Sequence, residues 1–175
     1  MDATVPMTVT GVRVELPSNT PIVLLRETGG TRFLPIWVGA VEAMAITAAL
    51  EGVTPPRPLT HDLMASVIES LNAQIERIVV TELRNNVYYA ELILTVEGRE
   101  IVVSSRPSDA IALSVRTGAP VLASSSVLDE ASIEFQDEEL NDVQDEVEKF
   151  REMLQNITPD DFIDPGGSSE DPGSR

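Results

Sequence analysis

Seven side chains in this chain have types and spacings suited to chemistry on an anion: Glu42, Arg57, His61, Asp62, Arg106, Ser108 and Asp109. His61 is the single histidine, and Asp62 follows it directly, in the expected first turn of a helix. An imidazole beside a carboxylate can move a proton near neutral pH or bind a metal ion. The alternative is that His61 packs at the edge of an apolar stripe with Met64 and Ile68, while Asp62 merely favours the helix start. One histidine and no cysteine cannot build a multi-His or thiolate zinc site. A carboxylate-rich Mg²⁺ or Mn²⁺ site stays open.

Glu42 lies in an otherwise apolar segment, Gly39-Ala40-Val41-Glu42-Ala43-Met44-Ala45-Ile46. A carboxylate there needs a cation, a proton or hydrogen-bond donors if buried. At an exposed helix start it needs only the helix dipole. The stretch Ser104-Ser105-Arg106-Pro107-Ser108-Asp109-Ala110 reads as strand, polar turn and helix start. Such a junction presents free amides to an anion, and Arg106 adds a planar fork that matches phosphate. Equally, Ser108 and Asp109 can satisfy the helix's own amides while Arg106 pairs with a surface acid. No glycine-rich phosphate loop is present.

The elements that must position these residues point to an α+β domain with a mixed or antiparallel sheet and two or three packed helices. Residues 9–16 alternate and are rich in β-branched types, which predicts a strand. Residues 22–25 predict a short buried strand. Gly29-Gly30 turns into residues 31–38, whose Pro35 marks an edge or bulged strand. Residues 39–50 are Ala-rich and apolar nearly all round, which predicts a helix buried on most sides. After a proline-rich connector, Thr60 can cap a second helix whose Met64, Val67, Ile68 and Leu71 form an apolar stripe at i, i+3, i+4 and i+7. Residues 73–84 and 87–96 read as a hairpin about Asn85-Asn86, followed by a strand at 101–103. Pro107 opens a third helix that Gly118 closes, and Pro120-Val121-Leu122 predicts one more strand.

Charge and composition narrow the function classes. The 175 residues carry 12 Lys+Arg and 29 Asp+Glu, for a net charge of −17. Residues 1–128 account for only −4 of this, and residues 129–175 for −13. Such a balance opposes passive high-affinity binding to nucleic acid, although a local arginine site acts inside the ~10 Å screening length of 0.1 M salt. The few aromatics, Trp37, Tyr88, Tyr89 and four Phe, limit stacking platforms. Leu140, Val143, Val147, Phe150 and Leu154 form a heptad-like seam on an acidic stretch. This predicts an amphipathic helix over 136–156, which could mediate self-association, and a disordered tail over 157–175. The start shows no basic or apolar leader and no segment is long enough to span a membrane, so the expected compartment is the cytoplasm.

Three of these segments resemble the bifunctional nuclease family in order and spacing: Gly39-Ala40-Val41-Glu42-Ala43, Arg57-Pro58-Leu59-Thr60-His61-Asp62-Leu63, and Ser105-Arg106-Pro107-Ser108-Asp109-Ala110-Ile111-Ala112-Leu113. The resemblance implies a domain over residues 1–135, homo-oligomeric with a dimer as first expectation, that hydrolyses DNA and RNA. It implies a divalent cation, Mg²⁺ or Mn²⁺, on Glu42, Asp62 and Asp109. His61, Asp62, Arg106 and Asp109 would be catalytic, and Arg57, Arg106 and Ser108 would hold substrate. The contrasting expectation is a non-catalytic anion-binding or oligomeric module. It predicts that Glu42, His61 and Asp109 lie apart, or are each satisfied by internal hydrogen bonds. An acidic mimic of nucleic acid, using the tail, is a third alternative.

Overall fold

A computed structural model describes residues 2–15 and 17–134. The expected acidic helix and tail, and the domain boundary at 135, lie outside the described residues. In chain order the elements are β1 (Thr4–Glu15), β2 (Thr20–Glu27), β3 (Arg32–Trp37), α1 (Ala40–Leu50), α2 (Thr60–Ser70), β4 (Ala73–Arg84), β5 (Val87–Val96), β6 (Arg99–Ser105), α3 (Pro107–Thr117), β7 (Val121–Ser124), α4 (Ser125–Ala131) and β8 (Ile133–Glu134). The strands form one sheet in the order β6-β5-β4-β7-β1-β2-β3-β8. Only β4 and β7 run parallel, so the class is α+β with a mixed sheet.

Local chemistry explains the elements closest to the site. Asn85 and Asn86 both take positive φ, 52° and 61°, which gives the β4–β5 hairpin a turn of matching twist. Pro107 stands at the first position of α3, where its missing N–H costs nothing. Gly118 ends α3 in the left-handed conformation at φ 75°. Between these ends, Ala110, Ile111, Ala112 and Leu113 are fully buried. Helix α3 packs against α1, α2, β4 and β5 and is the hub of the core. Pro35 is accommodated because β8 pairs with β3 only at Arg32 and Phe33, so the outer side of β3 past Phe33 has no partner strand among the described residues.

Four helices are described where two or three were expected. The additional one, α4, anchors on buried Val127 and Leu128. Two helices turn apolar side chains outward, and for α1 this corrects the expectation of burial on most sides. The apolar stripe of α2 is largely outside: Met64, Val67 and Leu71 are exposed, as is Leu63, and only His61 is buried on this helix. Helix α1 buries one stripe, Ala43, Ile46 and Thr47, but exposes Val41 and Leu50. The cap of α2 also shifts by one residue, with Leu59 at the cap and Thr60 at the first helical position. Among the described residues no helix is long and apolar enough to cross a membrane.

Candidate functional site

Three helix N-termini meet at the site. Glu42 is the third residue of α1, His61 the second of α2, and Asp109 the third of α3, with Arg106 capping α3. First-turn side chains project back past the helix start, which is why residues from three separated segments come together there. His61 Nε2 lies 3.0 Å from Asp109 Oδ1. Arg106 grips the same carboxylate, donating from Nε to Oδ2 at 2.7 Å and from an Nη to Oδ1 at 3.0 Å. That Nη also stands 3.0 Å from Glu42 Oε1. The result is a continuous chain, Glu42–Arg106–Asp109–His61.

Burial raises the Asp109 carboxyl, but hydrogen bonds from Arg106 and His61 outweigh it and hold the group below the ordinary carboxylate range. The Arg106 guanidinium is held protonated more firmly by the same bond to Asp109, aided by Glu42. With its Nε2 committed to Asp109, His61 has Nδ1 left, and that nitrogen has no protein partner among the described residues. An ionised carboxylate can only accept, so Nε2 carries the hydrogen of this contact, and in a neutral imidazole Nδ1 is then the acceptor. Glu42 reaches Arg106 by folding back over Gly39. A Cβ on Gly39 would strike the Glu42 carboxylate.

Asp62 does not join this cluster. It accepts from the backbone N–H of Leu59 at 2.9 Å and from Arg116 Nε at 2.5 Å. The Arg116 bond is the main cause of its lowered pKa. The Arg116 guanidinium also donates to the carbonyls of Ala112 at 2.8 Å and Ala45 at 3.1 Å, so one part-buried side chain ties α1, α2 and α3 together. Sequence reasoning missed Arg116; its signal is a lone cation in the last turn of an Ala-rich buried helix. Arg57 is exposed in the connector between α1 and α2, with no hydrogen-bond or ion-pair partner among the described residues.

The expected shared cation on Glu42, Asp62 and Asp109 is not supported by this arrangement. Arg106 occupies the position between Glu42 and Asp109, and Arg116 holds Asp62. Among the described residues, no group of three His, Asp or Glu is placed to hold a metal ion.

Beside the cluster lies a cleft of about 370 Å³ between the end of β3, the β4–β5 turn and the start of α3. Ile36, Trp37, Asn86, Tyr88, Arg106 and Ser108 line it. Ser108 is itself buried at the second position of α3. Arg106 belongs to both the cleft and the ion-pair chain, and its side chain is 65% exposed.

The bifunctional nuclease domain family matches residues 23–136, which include all of the converging motifs. The chain belongs to this family. An uncharacterized protein of Mycobacterium tuberculosis is 44% identical over 159 residues, covering 88% of this chain and 95% of that protein. Bifunctional nuclease 1 of Oryza sativa subsp. japonica is 31% identical over 103 residues, or 57% of this chain and 31% of the plant protein. Bifunctional nuclease 2 of Arabidopsis thaliana is 30% identical over 112 residues, 61% of this chain and 34% of that protein. The likeness to the bifunctional nucleases of plants is thus confined to about a third of their length.

Proposed function

We propose that this bifunctional nuclease domain hydrolyses phosphodiester bonds in DNA and RNA, with His61, Asp109 and Arg106 as the working group. The observation that carries the reading is the 3.0 Å contact of His61 with Asp109 while Arg106 spans that carboxylate and opens onto a cleft. An imidazole oriented by a carboxylate is suited to take a proton from water. The water oxygen bonds to phosphorus, its proton passes to His61 Nδ1, and the P–O ester bond breaks as the departing oxygen takes a proton from solvent. Arg106 has the fork geometry to offset charge on the phosphate oxygens. Asp62 acts at a distance by fixing the α2 start through Arg116. Binding of Mg²⁺ or Mn²⁺ at Glu42 and Asp109 would require Arg106 to leave them, so no step is assigned to a cation.

One observation favours the second reading, a non-catalytic module. Glu42 and Asp109 are both satisfied by Arg106, which leaves two carboxylates for one guanidinium and a local field that repels phosphate. Purified protein assayed on DNA and RNA with Mg²⁺, with Mn²⁺ and with chelator separates the two. The nuclease reading expects His61→Ala and Asp109→Ala to lose at least 100-fold in rate, on the scale of a lost general base. Equal activity in wild type and both variants, or none in any, supports the module.

A further inference from the structure

The two ends of the sheet are treated differently. At one end β8 is two residues long, and β3 beside it carries Pro35, so little of that edge is left to pair among the described residues. At the other end β6 pairs with β5 over all seven of its residues and has no strand on its outer side among the described residues. Its middle, Ile101, Val102 and Val103, is β-branched and 44%, 52% and 40% exposed. The strand carries one Arg and one Glu but no Lys, Pro or Gly, and Glu100 is already paired with Arg77 at 3.0 Å. An open edge that is apolar at its centre and lacks the usual blocking residues is a template for another strand.

We propose that β6 pairs antiparallel with β6 of a second copy of this chain, about a twofold axis at Val102. Backbone geometry narrows the register. In an antiparallel pair, facing residues either both turn their N–H and C=O toward the partner strand or both turn them away. Alternate residues of β6 spend those groups on β5, so a residue can face only itself or one an even number of positions away. Centring on Val102 faces Ile101 with Val103, Glu100 with Ser104 and Arg99 with Ser105. All seven residues then pair, apolar on apolar, and no charge meets its like. An axis at Glu100 faces two carboxylates. An axis at Ile101 or Val103 shortens the ladder and sets charges or serines against apolar side chains. Because β8 and Pro35 blunt the far edge, β6 has only another β6 to meet, and the assembly closes as a dimer instead of growing into a fibre. The register also sets Arg99 of the partner subunit opposite Ser105, the residue before Arg106.

The chain has no cysteine, so an introduced one reports on its own position. An antiparallel ladder holds facing Cα atoms ~4.5–5.5 Å apart, inside the span of a disulfide. Full-length Val102→Cys is expected to form a cross-linked dimer under mild oxidation, and Val67→Cys, on the exposed face of α2, to run as a monomer on a denaturing gel. Sedimentation of the wild type across a concentration series is expected to show a dimer. Val102→Lys, which opposes two cations at the axis, is expected to weaken association about tenfold with its circular dichroism unchanged. Mixing Val102→Lys with Val102→Asp is expected to restore the dimer, since this register brings the two positions face to face. A wild type that stays monomeric, a Val102→Lys protein that dimerises as the wild type does, or a cross-link through Val67→Cys but not Val102→Cys overturns the proposal.

Discussion

Helices α2 and α3 are both eleven residues long and carry similar amounts of apolar side chain, yet the fold treats them oppositely. Helix α3 buries seven residues and sits at the centre of the core. Helix α2 buries only His61 and turns Leu63, Met64, Val67 and Leu71 outward. Its first turn is anchored by polar contacts, His61 to Asp109 and Asp62 to Arg116, while Ala65 and Ile68 pack part-buried against the core. One helix is held by a fully buried face; the other rests on a narrow apolar contact and two polar pairs, of which only His61–Asp109 belongs to the candidate site.

That contrast orders the mutational effects. Leu113→Ala, in the fully buried face of α3, is expected to cost about 3 kcal/mol in denaturant unfolding, the usual range for an emptied core leucine. Arg116→Met keeps most of the volume but removes the donors to Asp62, Ala45 and Ala112. It should cost about 2 kcal/mol, with hydrogen exchange accelerating first in α2. Cleavage should fall with it, because His61 rides on that helix.

Acid should loosen the polar attachment before the apolar one. The folded Asp62 and Asp109 carboxyls lie below their ordinary value. Their stabilising contribution is therefore complete above an unfolded pKa of about 3.9 and is lost as pH falls through the lower folded values. Melting temperature should thus drop below about pH 4 in wild type and drop less in Asp62→Asn. The smallest effect is expected from Val67→Ser on the outer face of α2, within about 0.5 kcal/mol of wild type. A cost above about 1 kcal/mol that depends on protein concentration would show instead that a second molecule covers this face in solution.

The sequence made some of this legible and hid the rest for physical reasons. The hairpin at Asn85-Asn86 and the two ends of α3 follow from backbone preferences that act over one or two residues, and they appear where expected. The meeting of the motifs around Arg106 was also legible, since three helix starts each carried a polar side chain of the right type. The burial of α2 was not legible, because periodicity shows that a helix has an apolar face without showing which way it points. The partner of Asp62 was hidden for another reason: Arg116 lies 54 positions away, and only the packing of α3 brings it near. The parallel β4–β7 pairing that joins the two halves of the sheet likewise depends on contacts remote in sequence.

Gly39 sits at φ −71°, a conformation open to any amino acid, so its backbone does not require glycine. What the position reserves is room: the carboxylate of Glu42 occupies the volume a methyl group would fill. Because that carboxylate ends a pliable side chain, alanine at position 39 should leave folding nearly intact while pushing Glu42 aside and loosening its hold on Arg106. A single hydrogen atom in place of a methyl thus sets the balance of charge at the mouth of the cleft.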